Sequence, residues 1–295
     1  MSKPRSLKKS LLGALAVVPL VGLLAACSPA GADDVVRIGV VDASEPYWAD
    51  FTETAAAEGI TVELVNFTLY EQPNPALSAD ELDMNQFQHV VYLADYNVAS
   101  GSDLAPVGAT AIYPLGLYSQ EYDDVADIQQ GDTVAVPSDA SNLARSLLVL
   151  QSAGLIELTD GGSIFSTLDD IDTDASTVEV LAMEASLTTS SLPDVAAAIV
   201  NNEFVGKAGL SFADAIAQDD PADPNALPYV NIFATRAEDK TNETYLRLVE
   251  IYQTTQAVQD GVLESSGDTA VLLTTSVADL EASLADVTAD TEANE

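Results

Sequence analysis

The sequence predicts an α/β fold with mostly parallel sheets, shared between two lobes. Three observations carry that reading. The chain has 295 residues, more than a single compact core accommodates. From residue 35 onward, short β-branched runs alternate with longer amphipathic stretches, the signature of repeated strand–helix units. No Pro-rich linker, internal repeat or low-complexity block separates one half from the other. Two lobes joined by more than one strand would explain that absence.

A targeting segment precedes the fold. It carries Lys3, Arg5, Lys8 and Lys9 and no acid, then an apolar run over residues 11–26 broken by Gly13, Pro19 and Gly22. A basic start and a short, broken apolar stretch describe a signal peptide better than a membrane span. It ends in Leu24-Ala25-Ala26-Cys27, which resembles the lipobox of bacterial lipoproteins, where the cysteine is acylated and becomes the new N-terminus. An ordinary secretory signal is the alternative. The chain's single Cys sits at the one position a lipobox needs, and a free thiol elsewhere in an exported protein would be an oxidation liability. Residues 1–26 are therefore read as signal and residues 27–34 as a small, polar tether.

The elements follow in order. Residues 35–41 and 61–66 read as strands, with a helix over 47–58 between them closed by Gly59. A helix over 86–96 would place Asn85, His89, Tyr92 and Tyr96 on one face, at i, i+4, i+7 and i+11. Such a polar-aromatic face suits a pocket wall, although a half-buried helix with amphipathic rings has the same pattern. Residues 133–137 read as a strand leading into a helix over 141–153, with Leu143, Leu147 and Leu150 as its core stripe and Gly154 as its stop. Strands are expected at 178–182, 196–200 and 229–235, and one long helix at 245–259. The acidic end from Ala285 onward is expected to fray.

Charge and composition exclude several functions. Ten Lys and Arg stand against 47 Asp and Glu, for a net charge of −37. Nucleic-acid binding needs clustered cations, and docking on an anionic membrane by a basic patch needs them too. With 47% apolar residues the chain is unlike a disordered acidic tail, so the charge belongs on the surface of folded lobes. One Cys and one His build neither an internal disulfide nor a zinc site. There is no G-x-S-x-G elbow, no phosphate-binding G-x-x-x-x-G-K-[ST] loop and no G-x-G-x-x-G after a strand. A non-catalytic protein without cofactor is the expectation.

Cleavage before Cys27 leaves six cations: Arg37, Arg145, Lys207, Arg236, Lys240 and Arg247. One of them is oddly placed. In Pro137-Ser138-Asp139-Ala140-Ser141-Asn142-Leu143-Ala144-Arg145, Arg145 follows the first turn of a helix, where free N–H groups favour anions. Asn142, three residues back, shares its face. An Arg fork, an amide and a helix N-terminus at a strand's carboxyl end make a good carboxylate receptor. An ion pair with a surface acid explains the placement equally well.

Longer motifs point to a family. Tyr70…Pro73-Asn74-Pro75-Ala76-Leu77 and Asp83-Met84-Asn85-Gln86-Phe87-Gln88-His89 resemble segments of the MetQ/NlpA methionine-binding lipoproteins, as do Pro114-Leu115-Gly116-Leu117-Tyr118-Ser119 and Asp139…Asn142…Arg145…Leu147-Leu148…Leu150…Ala153-Gly154-Leu155-Ile156. The likeness spans about residues 35–259, in the family's motif order and after a lipobox. It implies a two-lobed periplasmic-binding-protein-like fold of type II with the ligand cleft between lobes. The expected division is 35–115 plus 229–295 for the first lobe and 116–228 for the second. It further implies a lipid-anchored, extracytoplasmic protein that binds L-methionine and hands it to the permease and ATPase of an ABC importer. In the family, aromatic residues of the first lobe hold the thioether; Tyr70, Phe87, His89 and Tyr92 occupy those positions. Arg145 and Asn142 match the groups that take the α-carboxylate, and Asn201 and Asn231 match those holding the backbone groups. Thioether against aromatic rings is a favourable contact.

Two departures stand out. The family's Asn-x-Asn-Tyr segment reads Asn201-Asn202-Glu203-Phe204, and Ala140 replaces Pro after Asp139. Glu203 reads first as a solvated acid, with a place near the ligand ammonium as the alternative. Tyr47 and Trp48 border the cleft or simply pack. Other readings of the chain are the same fold with another ligand (D-methionine, a methionine-containing dipeptide or another apolar amino acid), a surface adhesin or signalling lipoprotein, and an enzyme on this scaffold.

Overall fold

The computed structural model describes residues 35–294; the signal segment and Cys27 lie outside the described residues. Along the chain run β1 (Val36–Val40), α1 (Tyr47–Ala57), β2 (Val62–Asn66), α2 (Pro73–Ser78), β3 (Met84–His89), α3 (Val90–Ser100), β4 (Leu104–Ala109) and β5 (Ala111–Ile112). Next come β6 (Gly116–Tyr118), β7 (Thr133–Pro137), α4 (Ala140–Ser152), β8 (Glu179–Met183), α5 (Thr188–Ser191), β9 (Ala197–Val200), α6 (Asn202–Val205) and β10 (Ala217–Gln218). The chain ends with β11 (Asn231–Arg236), α7 (Glu243–Thr254), α8 (Gln256–Ser265), β12 (Val271–Leu272) and α9 (Val277–Asn294).

Two five-stranded sheets form, in the orders β2-β1-β3-β11-β4 and β10-β6-β9-β7-β8. In the first, β11 runs against both neighbours while the other four strands share one direction. In the second, β6 is the reversed strand. The sheets are thus mostly parallel, each with one strand against four. The chain builds the first sheet as far as β4, makes the whole second sheet, and returns as β11 to fill the slot between β3 and β4. It crosses between the sheets twice. At the first crossing β5 pairs antiparallel with β12.

Each sheet has its own packing. Ile38, Val40, Phe51, Phe233, Leu248 and Tyr252 fill one face of the first sheet beneath α1, α7 and α8. Leu77, Leu93, Leu104, Ile232 and Leu280 fill the other beneath α2, α3 and α9. Val134, Val136, Leu147, Leu150 and Ile199 pack on the second sheet. Full burial of each such side chain stabilises by roughly 1.5–3 kcal/mol. A further cluster draws from both sheets, with Val41 and Tyr70 against Ala135, Val200 and Phe204.

Three sequence expectations are corrected. Residues 84–89 are a strand, in register with β1 (Gly39 opposite Asn85) and β11 (Asn231 opposite His89); the helix starts only at Val90. Asn85, His89, Tyr92 and Tyr96 therefore share no helix face. Asn85 and Gln88 are tolerated inside β3 because they bond each other and Asn74 of α2. Asn74 Nδ2 donates to Gln88 Oε1 at 2.6 Å, while Asn85 Nδ2 and Gln88 Nε2 donate to Asn74 Oδ1 at 2.8 and 2.7 Å. The long helix expected at 245–259 is broken at Thr255, whose φ of −78° and ψ of 112° are extended. The acidic end does not fray: α9 continues to Asn294, with Leu280 and Val287 buried. Among the described residues no helix is long and apolar enough to cross a membrane.

Candidate functional site

A cavity of about 100 Å³ lies between the two sheets, several times the ~10–15 Å³ that one water needs. Its lining follows the carboxyl ends of four strands. Val41 and Asp42 come after β1, His89 ends β3, Asn142 and Arg145 come after β7, and Asn201, Asn202 and Glu203 come after β9. Ligand sites of open α/β sheets form at such strand ends.

The wall on the first sheet's side is aromatic. Tyr70 is buried and Phe87 and Tyr92 are half-buried. Phe87 and Tyr92 meet edge-on with centroids 5.6 Å apart, and Tyr70 lies 6.1 Å from Phe87 and 6.2 Å from Tyr92. Tyr47 and Trp48 also line the cavity, from the start of α1. His89 turns the corner between strand and helix. As N-cap of α3 it has extended backbone, and its Nδ1 accepts the Tyr92 N–H at 3.1 Å. The ring hydrogen is thereby assigned to Nε2. Burial first, and the nearby Arg145 second, push its pKa down to about 3, so His89 stays neutral.

The wall on the second sheet's side is polar. Asp139 N-caps α4, accepting from the Asn142 backbone at 3.0 Å and from Asn142 Nδ2 at 2.8 Å. Burial raises its pKa. Asn201 Nδ2 donates to Asn142 Oδ1 at 3.1 Å, tying the ends of β7 and β9 together. Arg145 is 6% exposed. Its Nε donates to Asp219 Oδ2 at 2.6 Å and its Nη2 to the Tyr113 carbonyl at 2.9 Å. The guanidinium carbon stands 4.5 Å from the centre of the Tyr229 ring, a cation–π distance. Of the two accounts of Arg145 left open by the sequence, the ion pair with an acid is present, and the residue also lines the cavity. Its Nη1 has no hydrogen-bond partner among the described residues.

Three cavity-lining atoms are buried without a hydrogen bond: His89 Nε2, Asn201 Oδ1 and Asn202 Nδ2. Buried polar atoms are paired in the great majority of cases. One donor ring nitrogen, one amide acceptor and one amide donor gathered in a single cavity form a ready set for a small zwitterion.

Tyr70, Phe87, His89, Tyr92, Asn142, Arg145, Asn201 and Asn231 all line this cavity. Asn85 and Tyr96 do not: Asn85 belongs to the amide network of β3, and the Tyr96 hydroxyl meets Ser78 Oγ at 2.9 Å. Glu203 is not the solvated acid first expected. It is half-buried, lines the cavity and accepts a hydrogen bond from the Tyr70 hydroxyl. Burial raises its pKa. Sequence reasoning missed Tyr113, Asp219 and Tyr229, which hold Arg145 from three separate stretches of chain, and no local motif signals them.

The chain is similar in sequence and fold to known proteins. The sequence model of the NlpA lipoprotein family matches residues 36–272. The D-methionine-binding lipoprotein MetQ of Salmonella typhi is 36% identical over 256 residues, covering 85% of this chain and 90% of that protein. The substrate binding protein of a methionine transporter from Streptococcus pneumoniae superposes with a TM-score of 0.76 at 33% identity, covering 81% of this chain and 95% of the other. A nutrient binding protein from Burkholderia cenocepacia, solved bound to methionine, gives a TM-score of 0.74 at 32% identity, covering 80% of this chain and 99% of the other.

Proposed function

The chain belongs to the NlpA lipoprotein family, and we propose that it is the extracytoplasmic substrate-binding lipoprotein of an ABC importer, capturing L-methionine. One observation carries the reading beyond family membership. A single cavity places Arg145 and three unpaired buried polar atoms within one lining shared with an aromatic wall. The α-carboxylate takes the free edge of Arg145, with Asn142 beside it. Asn201 and Asn231 hold the backbone groups. The thioether lies among Tyr70, Phe87, His89 and Tyr92, where sulfur–aromatic contact stabilises by about 0.3–1.5 kcal/mol.

Capture works by closure in this proposal. Residues 35–115 with 229–295 form one lobe and 116–228 the other, and the two chain crossings act as the hinge. A ligand that touches both lobes binds the closed form better and shifts the population toward it. The closed protein then docks on the permease and its ATPase. Cys27 carries the lipid anchor that keeps the protein at the membrane, facing outward; Cys27→Ser should release it into the soluble fraction, and retention at the membrane would contradict the anchor.

Calorimetry on the soluble protein from residue 28 tests the ligand. Micromolar or tighter binding of L-methionine is expected, with D-methionine and glycyl-methionine as competing arms. Arg145→Ala should weaken binding by at least about 100-fold, within the ~2–5 kcal/mol expected when a buried charged partner is truncated. Absence of any methionine-derived ligand would sink the importer reading, and unchanged affinity in Arg145→Ala would sink the carboxylate assignment.

A further inference from the structure

We propose that Glu203 is a specificity-determining residue that supplies the counter-charge for the ligand's α-ammonium group. The inference rests on the amino-acid-binding reading and assigns a role within the same cavity.

The cavity is electrically divided. Arg145 is the one cation among its lining residues, and its neighbours are His89, Asn142, Tyr229 and Asp219. The acids of the lining are Asp42, Glu45 and Glu203. Asp42 already has a partner, because Lys207 Nζ reaches it at 2.9 Å. Lys207 lies four residues beyond Glu203 and also sits 5.4 Å from the Phe204 ring centre. The cation placed closest in sequence to Glu203 is therefore held by another acid, and Glu203 forms no ion pair among the described residues.

The Tyr70 hydroxyl bonds Glu203 Oε1, and no other side chain hydrogen-bonds this carboxylate among the described residues. A carboxylate removed from water is costly unless it is paired or protonated. Desolvation outweighs the Tyr70 hydrogen bond and the more distant charge of Lys207 and holds Glu203 toward its protonated form; a bound ammonium would reverse that balance. Position agrees with the role. Asn201, which is bonded to Asn142 and so to the carboxylate receptor, precedes Glu203 by two residues in the same turn. Both residues line the same cavity, so one amino acid can touch both. His89 and Asn201 are 6% and 8% exposed, and each adds an unpaired atom to the same lining.

The test compares L-methionine with 4-(methylsulfanyl)butanoate, which lacks the ammonium, on wild type, Glu203→Gln and Glu203→Asn. In wild type, loss of the ammonium should weaken binding at least about 100-fold. In both variants that penalty should shrink to less than about 10-fold, while L-methionine itself binds about 10- to 100-fold more weakly. Retained binding of the analogue shows that the variant site is intact, and the pair of variants guards against one that fails to fold. Equal penalties in wild type and variants overturn the assignment to Glu203 alone. A wild type that binds neither compound overturns the importer reading, and the Glu203 role with it.

Discussion

His89 shows how one residue's surroundings decide what it can do. Its Nδ1 is occupied by the Tyr92 N–H, its Nε2 is buried in the cavity without a partner, and its pKa is pushed down to about 3. It is a neutral donor at every physiological pH, not a switch. Methionine affinity should accordingly show no histidine step between pH 5.5 and 8; a midpoint near 6.5 lost in His89→Ala would contradict this. The rings around it carry the side-chain preference. Phe87→Ala or Tyr92→Ala should weaken methionine by roughly 10- to 100-fold, from lost apolar burial and sulfur contact, and weaken alanine little. Equal losses for both ligands in titrations would show that the rings do not hold the side chain. At this scale the sequence was informative wherever local physics was violated. A cation just past a helix start marked Arg145. Glu203 was misread because, among 47 acids, nothing in the sequence separates the one facing the cavity from those in water. Asp219, Tyr113 and Tyr229 were illegible for a different reason: they reach Arg145 from 74, 32 and 84 residues away along the chain.

Elements were legible in proportion to how far their patterns followed side-chain burial. The strands at 133–137 and 62–66 and the helix after Pro137 fall within a residue of expectation. The segment 84–89 defeats periodicity, since Asn85, Gln86 and Gln88 are buried strand residues, Asn85 and Gln88 made acceptable by an amide network with Asn74 and Gln86 by donating to the Thr110 hydroxyl. The C-terminal helix was underrated because its acids hide a thin apolar seam. Leu280 packs with the first sheet's core, and Val287 meets Val91, Ala94 and Tyr229. That packing has a measurable consequence at Asp95 on α3. Burial against α9, with Asp139 adding repulsion and the Thr291 hydroxyl partly offsetting both, raises its pKa to about 7. The folded protein thus holds this proton more tightly than the unfolded chain, whose Asp titrates near ~3.9. Its contribution is favourable below about pH 4 and is lost as pH climbs toward 7. Asp95→Asn should therefore gain on wild type in Tm as pH rises from 4.5 to 8. A Tm difference that is constant across that range would refute the burial of Asp95 as the cause.

At the scale of the whole molecule the architecture was more legible than the balance of its charges. Two sheets joined by two crossings follow from strand–helix alternation without a linker, but which strand fills the last slot of the first sheet depends on contacts made after the second sheet is complete. The charges have a simpler pattern. All six Lys and Arg among the described residues are paired: Arg37 with Asp83, Arg145 with Asp219, Lys207 with Asp42, Arg236 with Asp80 and Asp239, Lys240 with Glu281, and Arg247 with Glu58 and Glu250. Acids far outnumber these cations, and a net charge of −37 makes the sum of their interactions repulsive in the compact state. Screening by salt acts on both kinds of interaction. Exposed ion pairs are each worth at most about 1 kcal/mol, whereas repulsion extends over every acid within a Debye length, ~30 Å at 0.01 M and ~3 Å at 1 M. Relief of repulsion should win. Raising sodium chloride from 0.01 to 0.5 M should lift Tm by several degrees, since about 1 kcal/mol moves Tm by roughly 2–4 °C for domains of this order of size. Chloride is the salt to use, because sulfate would strengthen apolar burial on its own account. A Tm that stays level or falls over that range would show that the acidic surface does not oppose folding.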